Sequence, residues 1–77
     1  MTFEDLSKEV LIWGKEKEIL KPENQLKQMG NMVSEVGELC DQIIKENNHE
    51  QKQEFGDVLV TLIIIAEQLN LNPVKCL

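Results

Sequence analysis

Arginine and tyrosine are absent from this chain, and histidine occurs once, at His49. All eight basic residues are therefore lysine, set against fourteen acids for a net charge of -6. That balance lacks the basic footprint a nucleic-acid backbone demands, so no nucleic-acid partner is expected. A small phosphorylated ligand remains compatible, provided a metal ion supplies the missing positive charge. Cysteine is scarce as well: Cys40 and Cys76 are too few and too unpatterned for a disulfide scaffold or a zinc site. The opening Met1-Thr2-Phe3-Glu4-Asp5 has neither the basic nor the apolar region of a signal peptide. The longest apolar run, residues 58–66 with Thr61 included, is about half of what spans a bilayer. The expectation is a reduced, cytoplasmic protein with no membrane partner.

The 77 residues allow one domain, spanning 1–77, and a small core. Domains below roughly 70–80 residues rarely gain more than ~3–5 kcal/mol from a single core, so they add staples, metals or partner subunits. With disulfides excluded, a metal, a partner chain or both are expected.

Four glycines and two prolines leave no room for a linker or a low-complexity segment. Phe3, Leu6, Val10 and Trp13 recur at helical spacing behind Thr2 and Asp5, a capping-box pair, and predict a helix over about 3–18. Pro22 marks the next boundary. Leu26, Met29, Val33, Val36, Cys40 and Ile43 or Ile44 form a second stripe, which fades at Glu46-Asn47-Asn48-His49, a predicted turn. Phe55, Val58, Leu59, Leu62, Ile63, Ala66 and Leu69 form a third stripe, ending near Asn70. The β-branched residues of this last segment suit a strand. Helical spacing sustained over about 15 residues decides for a helix. Val60, Ile64 and Ile65 add a further apolar face, so this helix needs cover on several sides. A homo-oligomer with the third helix at its centre is expected. Asn72-Pro73 reads as an N-cap and first-turn proline of a fourth helix that the sequence leaves truncated after one turn. The fold class is thus all-α: an antiparallel bundle of three helices and the start of a fourth, completed by oligomerisation.

Two pentapeptides carry the candidate chemistry. Glu35-Val36-Gly37-Glu38-Leu39 lies in the second helix and Glu54-Phe55-Gly56-Asp57-Val58 in the third, their starts 19 residues apart. Within each, the carboxylates are three residues apart and share one helix face. Antiparallel packing would bring Glu35, Glu38, Glu54 and Asp57 together. A glycine inside a helix costs roughly 0.5–1 kcal/mol relative to alanine, so two in equivalent places suggest a close approach. Four clustered carboxylates repel unless protonated. A hard divalent cation removes the conflict, and magnesium characteristically bridges carboxylates to substrate phosphates. Manganese is an acceptable substitute. Against this, fourteen acids produce such pairs by chance; Glu38 and Asp41 form another, and a solvated face explains any single pair. A di-iron bundle would need Glu-x-x-His pairs, and neither a His-Glu-x-x-His helix, a calcium loop nor a phosphate-binding glycine loop is present.

The paired motif, Glu35-x-x-Glu38 followed by Glu54-x-Gly-Asp57-Val-Leu-Val, resembles the signature of the all-α nucleoside triphosphate pyrophosphohydrolases, the MazG-like superfamily. Trp13, Gln28 and the stretches 36–39 and 56–60 are similar to family positions, so the resemblance covers nearly the whole chain. It implies a nucleoside triphosphate substrate cleaved between its α and β phosphates, magnesium held by the four acids, and a homodimer or homotetramer of helical subunits. It also implies that Glu35 or Glu38 orients or deprotonates the attacking water, with Trp13, Gln28 and Lys27 as substrate-binding candidates. Trp13 would stack on the base and Lys27 would reach a phosphate; the competing readings are a core tryptophan and a solvated lysine. Asn31 and Ser34 stand where small members often carry Lys and Glu. The alternative function is a non-catalytic helical module that dimerises or binds a nucleotide.

Overall fold

The computed structural model describes residues 1–77, which form three α-helices and no strand. Helix α1 spans Phe3–Glu16, α2 Gln25–Ile44 and α3 Asn48–Gln68, with a short 3-10 turn, Pro22–Asn24, leading into α2. The capping box forms: the Thr2 N–H donates to Asp5 Oδ2 at 3.0 Å, and the Asp5 N–H to Thr2 Oγ1 at 3.1 Å. Two orphan donors of the first turn are thereby satisfied. Asn47 caps α3, its Oδ1 accepting from the Glu50 N–H at 3.2 Å. Asn48 and His49 belong to α3 rather than to the expected turn, which is confined to the three residues after Ile44.

All three helices stop by the same device. Glu18, Glu46 and Asn70 take positive φ of 57°, 58° and 57°. The next N–H in each case returns to a carbonyl five residues back: Ile19 to Gly14, Asn47 to Gln42 and Leu71 to Ala66. This closure satisfies the carbonyls left open at a helix end. It ends α1 two residues before the sequence expectation of residue 18. At the C-terminus Asn72 Oδ1 accepts from the Val74 and Lys75 N–H groups at 3.0 and 3.1 Å, capping the single expected turn.

Helices α2 and α3 pack along their length as an antiparallel hairpin, and α1 lies across α3. The crossing is close because residue 14 is glycine: a Cβ there would meet Ile64 Cδ1 at 2.8 Å and Leu20 Cδ2 at 2.9 Å. Ile64 is only 1% exposed, and Ile63 and Ile65 beside it complete the buried apolar core. Buried glutamine does the remaining stitching. Gln68 Nε2 donates to the carbonyls of Ile19 (2.8 Å) and Lys21 (3.2 Å), while Gln25 Nε2 donates to the Gln68 carbonyl at 3.1 Å. The α1–α2 connection is thus pinned to the end of α3.

Burial departs from the sequence expectation in two ways. The stripe of α2 from Leu26 to Ile43 is exposed, and the row facing α3 is instead Gln28, Met32, Glu35, Leu39 and Gln42. Helical periodicity groups residues by face but does not say which face docks within the chain. In α3, Ile64 and Ile65 are buried inside the subunit rather than left for a partner; Val58 and Val60 are half-buried and Leu62 is exposed. No helix is long and apolar enough to cross a membrane.

Candidate functional site

Glu35 and Glu38 project from the middle of α2, one turn apart, and Glu54 from the second turn of α3. The antiparallel hairpin brings them together: one carboxylate oxygen from each lies within 4.8 Å of the other two. Glu35 and Glu54 are half-buried, and the Oε2 atom of each is enclosed without any hydrogen-bond partner. An enclosed, unpartnered carboxylate oxygen carries a desolvation cost that a cation or a proton relieves. Glu54 shows the strain directly. Its carboxyl is pushed from 4.5 to about 7, first by burial, then by hydrogen bonding and charge repulsion from Glu38, then by the same from Glu35. This is the behaviour of carboxylates sharing one site.

Three all-oxygen donors suit a hard divalent cation. On an octahedral magnesium ion with bonds of about 2.1 Å, neighbouring ligands lie ~3.0 Å apart and opposite ones ~4.2 Å, so side-chain shifts of about 1 Å bring this trio onto one ion. The residues fit the group.

Asp57, the fourth acid chosen from sequence, stands outside the trio. Its position, three residues beyond Glu54, turns it about 60° around the α3 axis. That direction leads towards α1, where it is exposed in a hollow with Glu9, Val10 and Trp13. Its backbone carbonyl accepts from Thr61 Oγ1 at 2.9 Å.

Beside the acids lies a pocket of about 340 Å³ whose wall includes Trp13, Lys27, Gln28, Asn31, Glu35 and Thr61. All three residues singled out as substrate-binding candidates are therefore neighbours, and Glu35 belongs to both the pocket and the acid trio. Trp13 is 45% exposed rather than core. Gln28 is buried on the pocket wall. Hollows of about 540 Å³ near the α2–α3 turn and about 440 Å³ near the start of α1 are larger, but neither includes any member of the trio. A binding site needs convergent polar groups as well as volume, and of these three only the pocket beside the acids is lined by a member of the trio. Sequence reasoning missed Thr61, Asn24 and Val60 on this wall. The one signal for Thr61 was a hydroxyl in an otherwise apolar stretch.

Residues 23–72 match the sequence model of the MazG nucleotide pyrophosphohydrolase domain. This chain belongs to the MazG family. The match takes in all four acids together with Lys27 and Gln28, and leaves α1 with Trp13 outside. The MazG-family chain is also 27% identical over 71 residues to an uncharacterised 18.2 kDa protein from the rep-hol intergenic region of Haemophilus phage HP1. That alignment covers 92% of this chain and 44% of the phage protein, so the chain spans less than half the length of that relative. No solved structure matches.

Proposed function

We propose that this MazG-family chain is a magnesium-dependent nucleotide pyrophosphohydrolase. It converts a nucleoside triphosphate into the monophosphate and pyrophosphate, acting in the cytoplasm as a homodimer or homotetramer on a single domain of residues 1–77. The observation that carries the reading is that Glu35 serves two neighbourhoods at once, the acid trio and the pocket holding Trp13, Lys27 and Gln28. A triphosphate in that pocket presents its phosphates to the acids.

Glu35, Glu38 and Glu54 hold the ion, with exposed Asp57 as the fourth acid of the proposed set. Bound magnesium, or manganese in its place, supplies neutralisation of the triphosphate and of charge developing at phosphorus. The chain's own residues do the rest. Trp13 stacks on the base, Gln28 hydrogen-bonds the nucleotide, and Lys27 draws in a phosphate. Glu35 or Glu38 orients a water and accepts its proton. The water oxygen bonds to the α phosphorus as the bond to the bridging oxygen breaks, and that oxygen leaves with pyrophosphate.

A non-catalytic helical module that dimerises or binds nucleotide is the second reading, favoured by the separation of Asp57 from the other three acids. The two are separated by pyrophosphate release with magnesium across a panel of canonical and modified triphosphates. Monophosphate and pyrophosphate as first products support the enzyme. Orthophosphate as first product overturns it, and magnesium-dependent nucleotide binding without turnover selects the second reading.

A further inference from the structure

The pocket beside the acids has one buried polar side chain on its wall, Gln28, which is 7% exposed. Gln25, Gln51 and Gln68 each spend their amide on a backbone carbonyl, whereas the Gln28 amide bonds to nothing in the chain. Nor is that amide sealed in. The enclosed side-chain atoms without a partner are Ser7 Oγ, Glu35 Oε2, Glu54 Oε2 and Gln68 Oε1, and no atom of Gln28 is among them. The little exposure that Gln28 keeps therefore includes its head, which opens into the pocket. A largely desolvated amide with no partner carries a cost that a ligand's hydrogen bonds remove.

Its place on α2 says which part of a nucleotide it meets. Gln28 and Glu35 are seven residues apart, so they lie within about 20° of one line along the helix and ~10.5 Å apart. A nucleotide whose phosphates reach Glu35 therefore has its sugar between the two and its base against Gln28. Trp13 on the same wall offers a ring face, which holds any base without choosing among them.

We propose that Gln28 reads the edge of the base through its amide, and that it accepts amino and keto bases of one ring size alike. The assignment rests on the nucleotide reading above and adds which part of the substrate is recognised. An amide offers one donor and one acceptor side by side. Cytosine and adenine present an amino donor beside a ring-nitrogen acceptor; uracil and guanine present a carbonyl acceptor beside a ring N–H. The two patterns are each other's reverse, so a half-turn of the amide about its last torsion exchanges one for the other. Choosing between them needs a hydrogen bond within the protein that fixes the amide, and Gln28 has none. The site rejects a base whose edge offers neither pattern, because the amide is then left buried and unpaired.

Titration calorimetry of the native chain with magnesium and non-hydrolysable α,β-imido triphosphates tests this. Within each pair, cytosine with uracil and adenine with guanine, Kd should agree within about tenfold, as a free amide requires. In the ring size that binds more tightly, N3-methyluracil or N1-methylguanine should bind about ten- to a hundredfold more weakly than its parent, the effect of an unpaired buried amide. Gln28→Leu should keep its helical circular dichroism and bring methylated and parent analogues within about threefold of each other. A merely structural glutamine would weaken every analogue without closing that gap. A larger preference within either pair would mean a fixed reader. Methylation that costs nothing in the native chain, or costs as much in Gln28→Leu, would mean that another group meets the base. Each of these results overturns the inference alone; absence of binding by every triphosphate would overturn the nucleotide reading with it.

Discussion

Placing a cation on the acid trio should eject the proton that burial and two neighbouring carboxylates hold on Glu54. With its carboxyl raised to about 7, metal binding should release roughly 0.9 proton at pH 6, about half a proton at pH 7 and about 0.1 at pH 8. Apparent affinity for magnesium or manganese should accordingly rise about tenfold per pH unit below 7 and level off above it. The same group sets a pH dependence of the metal-free fold. Folded Glu54 keeps its proton until about pH 7, whereas the ordinary value is 4.5, so the folded state binds more protons in between. The group's contribution is fully present below about pH 4.5 and is lost as pH rises through 7. Calorimetry in buffers of different ionisation enthalpy counts the protons, and thermal melts in chelator follow the fold. Glu54→Gln should abolish the proton release, flatten the metal-free melting profile between pH 5 and 8, and remove most of the metal-induced rise in melting temperature. Proton release that persisted unchanged in Glu54→Gln would refute the shared-site reasoning. So would a metal-free wild type whose melting profile followed that of Glu54→Gln across this range.

Three further outcomes follow from single sites. Glu38→Gln should lose pyrophosphate release by two or more orders of magnitude, the usual cost of removing a general acid–base group, while its helical dichroism stays native; activity within tenfold of wild type would remove Glu38 from the chemistry. Gly14→Val should destabilise by about 1–3 kcal/mol through overpacking against Ile64 and Leu20, and an unchanged urea midpoint at fixed protein concentration would contradict the tight α1–α3 crossing. Glu46→Gly should stabilise by about 0.5–1 kcal/mol, because glycine relieves the left-handed backbone at the end of α2, and a lowered urea midpoint would count against that account of the helix stop.

Much of the site was legible because its spacing is a property of single helices. Two acids three residues apart share a face wherever the helix lies, so the pairing of Glu35 with Glu38 followed from the sequence. Which members of the two pairs meet depends on how α3 is rotated against α2, and that rotation brings Glu54 inward and turns Asp57 towards α1. Gly14 and Gln68 were missed for a related reason. A glycine in α1 gains meaning only when Ile64 presses against it, and a glutamine becomes a clamp only when the Ile19 and Lys21 carbonyls come within reach.

The sequence alone determined the helical class and the local stops and starts. Thr2 with Asp5, Pro22 and Asn72 act on backbone groups a few residues away, so their effect does not wait for tertiary contacts. Tertiary structure decided burial. Helix α2 carries an apolar row and a mixed row of Gln28, Met32, Glu35, Leu39 and Gln42, and the mixed row faces α3; next to it Gln25 donates to the Gln68 carbonyl at 3.1 Å, its stem lying along apolar surface while its head satisfies the carbonyl. Gln51 on α3, bonded to the Gln42 carbonyl at 3.2 Å, does this at the hairpin turn. Hydrophobic periodicity records that a face avoids water, but water can be excluded by the same chain or by another. Only the packing of α3, with Ile63, Ile64 and Ile65 buried inside the subunit, shows that α2 leaves its apolar row outside.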